Sequence, residues 1–222
     1  MPSPFSSWGA CVKRGEGLPS SFRRYLAARF LGVIGNTMIS VALGWQMYDL
    51  TASAWDLGLV GLVQFIPALV LTVPAGLLVD TADRRHVFAA SLVLQFLAGS
   101  ILCWGSMAGW IGRDLLLLVC LLIGIARALQ LPAQQAIIPA LVPRIDLPRA
   151  LATNASMNKL SMIAGPALGG ILYAGGAELA YGVCAAMFFG SSILAWLVPV
   201  PSQQRAGGSG GRRERHRFYL VG

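Results

Sequence analysis

The sequence predicts an all-α membrane protein of six helices, on three observations. Apolar residues come in charge-free runs of bilayer length, charged residues are scarce, and the cations that do occur fall in alternate connections. Only 12% of the chain is charged and 56% is hydrophobic, where an ordinary globular domain carries about a quarter charged residues. The mean hydropathy is +0.67. A soluble core built from 222 residues has no need of so much apolar surface.

Read for the absence of Asp, Glu, Lys and Arg, the uninterrupted runs are 30–48, 57–79, 86–112, 115–126, 160–177 and 179–204. A helix rising about 1.5 Å per residue needs roughly 20 residues to cross the hydrocarbon, and most of the runs approach or exceed that length. The fourth is short only because Arg127 interrupts it, and its apolar character continues to Val142. Continuous runs argue against the short alternating segments of a transmembrane barrel, which leaves helices that satisfy their own backbone. The chain divides into an N-terminal segment (1–21), a bundle of six spans (22–199) and a Gly-, Ser- and Arg-rich tail (200–222). The first segment has no apolar stretch of signal-peptide type, so the first span is expected to serve as its own uncleaved insertion signal. The connections are short except 143–158, which has room for a separate surface helix at the membrane face.

The net charge of +8 is distributed by side. Lys13, Arg14, Arg23 and Arg24 precede the first span, Arg84 and Arg85 follow the second, and Arg144, Arg149 and Lys159 follow the fourth. Arg205, Arg212, Arg213, Arg215 and Arg217 follow the sixth, whereas the intervening connections hold Asp49, Asp56, Arg113, Asp114 and Glu178. The positive-inside rule places both termini in the cytoplasm of a multi-pass protein of the cytoplasmic (inner) membrane. Topology therefore explains the charge, and no nucleic-acid partner is implied. Cys11, Cys103, Cys120 and Cys184 lack paired metal or redox spacing and read as small packing residues, so no metal or cofactor is expected. His-Glu-x-x-His, paired membrane aspartates and a mid-membrane Ser and His are all missing, and no enzyme is expected.

Six spans invite a three-plus-three inverted repeat. Pro67 and Pro74 in the second span and Pro166 in the fifth hint at one, since proline frees a carbonyl and bends a helix that must rock. Prolines are equally a common feature of membrane helices.

Residues 76–85, Gly-Leu-Leu-Val-Asp-Thr-Ala-Asp-Arg-Arg, resemble the signature of the major facilitator superfamily: glycine, three residues, aspartate, then a basic pair after a tight turn. In that resemblance Gly76, Asp80, Arg84 and Arg85 form a gate. Gly76 is to let a neighbouring helix approach, and the Asp80 carboxylate to pair with a cation or a helix N-terminus. Arg85 also reads as an ordinary loop charge. Thr81 replaces a usual base, and Asp83 the usual turn glycine, for which Asp would tolerate the left-handed conformation. Residues 127–130, Arg-Ala-Leu-Gln, resemble the superfamily's second signature, with Leu131 in place of its glycine. Arg127 either faces a cavity or partner, or snorkels to the interface. Residues 164–170, Ala-Gly-Pro-Ala-Leu-Gly-Gly, resemble the signature of exporters that run as antiporters, although Ser156 stands where an earlier glycine is usual. Gly165, Pro166, Gly169 and Gly170 would then serve bending and packing.

The stretches 42–51, 57–62 and 64–67 are similar to the enterobactin-exporter-type branch, and the resemblance covers about 22–199. It implies proton-driven export of a siderophore or hydrophobic drug-like molecule through a cavity between two six-span halves. Spans one, two, four and five would line it, with Asn36, Gln64, Arg127 and Gln130 toward substrate; a bond to a neighbouring helix is the competing fate of each amide. No Asp or Glu lies mid-span, so a coupling carboxylate would be Asp80 or lie outside this chain. The expected partner is a second six-helix half or a copy of this chain, without which Asn36, Gln64 and Gln130 would be exposed to lipid. A truncated fragment that only associates with membrane partners is the alternative.

Overall fold

The computed structural model describes residues 20–81 and 83–198, with the side chains at 72–73, 77–81 and 140 outside that description. Among these residues the regular elements are all α-helices: α1 Ser20–Thr51, α2 Ala54–Thr81, α3 Arg84–Ala108, α4 Arg113–Leu141, α5 Leu147–Ala174 and α6 Ala177–Trp196. Five of them, all but α5, are long and apolar enough to cross a membrane. α5 has the length, at 28 residues, but its first half carries Asn154, Ser156, Asn158 and Lys159.

No separate surface helix forms in 143–158. Pro148 occupies the first turn of α5, where its missing N–H goes unused, and the helix then runs unbroken through Gly165 and Pro166 to Ala174. α2 likewise continues through Pro67 and Pro74. The short connections make consecutive helices antiparallel. One end of the bundle, called here the near end, holds Ser20, Arg84, Leu147 and Trp196; the far end holds Thr51, Ala54, Arg113 and Ala177.

Packing does not follow chain order. α1 packs chiefly on α5 and α6, α4 on α2 and α3, and α3 on α6, while the sequential pairs α1–α2 and α5–α6 touch little. Missing side chains set these approaches. A Cβ at Gly165 would land on Thr37 Oγ1, and one at Gly169 would sit 3.0 Å from the Met38 backbone, so α5 lies directly on α1. A Cβ at Gly124 would be 2.6 Å from the Gln64 carbonyl oxygen, fixing α4 on α2. At Gly76 and Gly170 a Cβ would meet nothing within 4 Å among the described residues.

Phe22, Tyr25, Met38, Phe88, Tyr181 and Phe188 fill the interior. The outside is also apolar, with Trp104 70% and Ile163 75% exposed among many large hydrophobics. Water would penalise such a surface, and lipid does not.

Candidate functional site

Arg127 lies in the middle of α4, where a charge costs about 2.5 to 3.5 kcal/mol on insertion scales unless partners solvate it. α1 and α2 supply them. Nε donates to Asn36 Oδ1 at 2.9 Å and Nη1 to Gln64 Oε1 at 3.1 Å. Nη2 donates to the Asn36 carbonyl oxygen at 2.8 Å and to Ser40 Oγ at 2.7 Å. Four of the five N–H groups are thereby used, and the side chain turns inward rather than along the helix to an interface. Among the described residues no carboxylate is within ion-pair distance of it. The guanidinium is therefore solvated by dipoles rather than by a counter-ion among the described residues.

The same acceptors belong to an amide cluster. Asn36 Nδ2 donates to Gln95 Oε1 at 3.0 Å and to Gln130 Oε1 at 3.3 Å, and Gln95 Nε2 donates to Gln130 Oε1 at 2.9 Å. Gln64 Nε2 reaches Cys120 Sγ at 3.8 Å, and Gln130 Nε2 is buried without an acceptor. One network thus joins α1, α2, α3 and α4 across the middle of the bundle. Asn36, Gln64 and Gln130 are all buried, which corrects their expected exposure. The reason is the network: an amide that bonds a neighbouring helix avoids the cost of facing hydrocarbon unpaired. Asn36, Gln64, Arg127 and Gln130 are brought together, as residues of one site would be, but the company differs from expectation. α3 contributes Gln95, fully buried, and α5 contributes no side chain. Gln95 was overlooked in the sequence although its signal equals that of Asn36, a lone amide in an apolar run.

At the near end, Arg84 Nη1 donates to the Ala136 carbonyl oxygen of α4 at 2.9 Å. Asp83 is not left-handed: at φ −70° and ψ 115° it is the N-cap of α3, and its carboxylate accepts from the Arg85 backbone N–H at 3.0 Å. An extended N-cap satisfies an otherwise orphaned helix N–H, which a left-handed Asp would not. Arg85 lies 6.0 Å from the Trp196 ring, and the His86 ring meets the same ring tilted by 58°, with the centroids 5.4 Å apart. Asp80 is on the last turn of α2, and its side chain lies outside the described residues.

At the far end the ties are conventional. Arg113 Nε and Nη2 both donate to Asp56 Oδ1, at 2.9 and 2.7 Å, and join α4 to α2. Tyr173 donates to Asp49 Oδ2 at 2.7 Å and joins α5 to α1. Tyr181 donates to Gln46 Oε1 at 2.7 Å, while Gln46 Nε2 donates to Ser106 Oγ at 3.2 Å. Among the described residues no group of His, Cys, Asp and Glu could hold a metal ion.

A family profile described as "transmembrane secretion effector" matches residues 19–206. The staphyloferrin A transporter of Staphylococcus aureus is 27% identical over 68% of this chain and 38% of its own length. Macrolide efflux protein A of Streptococcus pyogenes is 26% identical over 66% of this chain and 36% of its own. The enterobactin exporter EntS of Salmonella choleraesuis is 31% identical over 83% of this chain and 46% of its own. The chain spans less than half the length of each of these relatives.

Proposed function

Since the chain belongs to the transmembrane secretion effector family, a branch of the major facilitator transporters, we propose that it forms one six-helix half of a proton-driven exporter of small molecules. The observation that carries the reading is the Arg127 network: a charge kept in the middle of the bundle, held by α1 and α2 and not neutralised. A protein needing only stability would do as well with apolar residues there. The names of the relatives favour a siderophore or a hydrophobic drug-like molecule as cargo. A second six-helix half, or a copy of this chain, completes the cavity, with α5 as the remaining membrane span.

The packing pattern favours the three-plus-three repeat. Exchanging α1 with α4, α2 with α5 and α3 with α6 turns the α1–α5 contact into the α4–α2 contact and the α1–α6 contact into the α4–α3 contact, both of them extensive. Arg23, Arg24, Arg84, Arg85, Arg144, Arg149 and Lys159 gather at the near end, which favours that end as cytoplasmic, in the inner membrane. Gly76, Asp80, Arg84 and Arg85 would gate it, with the Arg84 bond to α4 as the contact that breaks. Gly165 and Gly169 hold α5 on α1, and Pro166 and Gly170 leave it free to bend. The coupling proton would use Asp80 or a carboxylate of the second half.

The test is efflux from cells carrying this chain together with a complementary second half. Arg127→Ala and Asp80→Asn should each abolish efflux while membrane insertion persists; unchanged rates in both would sink the reading. Reporter fusions at Gly112 and Gly176 should report the outer side, and at Arg144 the inner.

A further inference from the structure

The two arginines that open α3 turn to different neighbours. Arg84 bonds α4. Arg85 turns to α6, where its guanidinium lies 6.0 Å from the Trp196 ring and its stem enters an apolar recess with Tyr25, Phe88, Ile137, Ala195 and Val198. Its Nε is buried without an acceptor, and among the described residues no carboxylate is within ion-pair distance of it. The adjacent acid, Asp83, accepts from the Arg85 backbone N–H and lies 3.5 Å from His86 Nδ1. Beneath this cation the surface is apolar. Val93, Leu97, Ile101 and Trp104 continue the exposed stripe of α3 that His86 begins, and Phe189, Ile193 and Trp196 form another on α6, by helical spacing. The Phe96 and Phe189 rings, with centroids 5.2 Å apart, join the two helices. At about 1.5 Å per residue the stripe from His86 to Trp104 runs about 27 Å, close to the roughly 30 Å of bilayer hydrocarbon. Trp104 and Trp196 therefore stand at opposite interfaces, and Arg85 at the level of the headgroups.

We propose that the near end of the α3–α6 face binds an anionic phospholipid, its phosphate on the Arg85 guanidinium and its chains along Trp196, Ile193 and Val93. The inference goes beyond the exporter reading and does not depend on it. Two features select the ligand. A planar guanidinium fork matches phosphate oxygens, and an unpaired cation at the headgroup level favours a lipid of net negative charge. The apolar stripes beneath it take the chains, which a free phosphate lacks. Basic residues at the ends of membrane helices meet anionic headgroups in general. Arg85 differs from the exposed Arg23, Arg24 and Arg149 in being anchored: the recess holds its stem and the Trp196 ring its head, so less freedom is lost when a phosphate arrives.

Native mass spectrometry of the purified 222-residue chain in an uncharged detergent, titrated with dioleoylphosphatidylglycerol or dioleoylphosphatidylcholine, tests this. Phosphatidylglycerol should saturate near about one tightly held molecule, with phosphatidylcholine of the same chains weaker by about 5- to 10-fold. Arg85→Ala should weaken phosphatidylglycerol by about the same factor, and Arg85→Lys, which keeps the charge but not the fork, by less. Trp196→Leu should cost about 2- to 5-fold, and Trp196→Phe should restore part of it. Arg149→Ala removes an equal charge from α5 at the same end and should change the affinity by less than about 2-fold. Equal losses in Arg85→Ala and Arg149→Ala would overturn the proposal and leave only the general attraction of a basic surface. Equal binding of the two lipids, displacement of the lipid by inorganic phosphate, or a lipid-free dimer that gives the face to a second copy would overturn it as well. Binding is read here without transport, so a failed efflux test with this pattern intact would sink the exporter reading alone.

Discussion

Two arginines on α4 are handled in opposite ways. Arg113, in the first turn, is 46% exposed at its side chain and meets a carboxylate, Asp56, at 2.7 Å. Arg127, in the middle of the same helix, meets two amide oxygens, a hydroxyl and a backbone carbonyl oxygen, and no acid. Water still reaches Arg113 and weakens that pair, although Asp56 itself is buried. The interior charge has no such fallback, so each of its acceptors is committed.

The largest effect expected on that contrast is from Arg127→Ala, which strips four hydrogen bonds and orphans Gln64 Oε1. At roughly 0.6 kcal/mol per interhelical membrane hydrogen bond the loss is about 2 to 3 kcal/mol, read by unfolding in detergent. Arg127→Lys, which keeps the charge but not the fork, should recover less than half of it; full recovery would mean that charge and not geometry holds the helices. Next comes Gly165→Ala, which drives a methyl onto Thr37 and should cost about 1 to 3 kcal/mol. Gly170→Ala faces open space and should be neutral or slightly stabilising by helix propensity. Equal effects from the two would mean that α5 is not seated on α1 as described. Gln95→Leu removes one acceptor and one donor from the cluster and should cost about 1 kcal/mol. Smallest is Asp56→Asn, below about 1 kcal/mol and fading with added salt. A cost matching that of Arg127→Ala would erase the distinction between the two arginines.

The helices were legible because lipid demands what sequence displays: charges punctuate the runs, and five of the helices meet the length and apolarity of a span. α5 was legible only in its second half. Its polar first half, 147–159, reads as a surface segment until the absence of any break after Pro148 joins it to the rest. The four polar residues of the site were legible as oddities, since an amide or arginine in an apolar run needs a reason. Who bonds whom was not legible, because it depends on which faces α1 through α4 turn toward one another. Gln95 was missed for that reason. Gly76 differs: small size permits a close approach without requiring one, and among the described residues nothing lies within 4 Å of where its Cβ would be. At Asp83 the turn was read by substitution for glycine, whereas the following helix needed a cap.

The mismatch between chain order and packing order has a consequence for biogenesis. α1 is made before α2, α3 and α4, yet its principal neighbours are α5 and α6, made after all three. Asn36 and Ser40 arrive long before Arg127, and Thr37 before Gly165. A nascent chain therefore holds α1 half-clothed, its amides waiting, while α2 to α4 are still being made. A ribosome that stalls after α4 leaves a product with the partners of Arg127 all made but with the side of α1 that faces α5 and α6 bare.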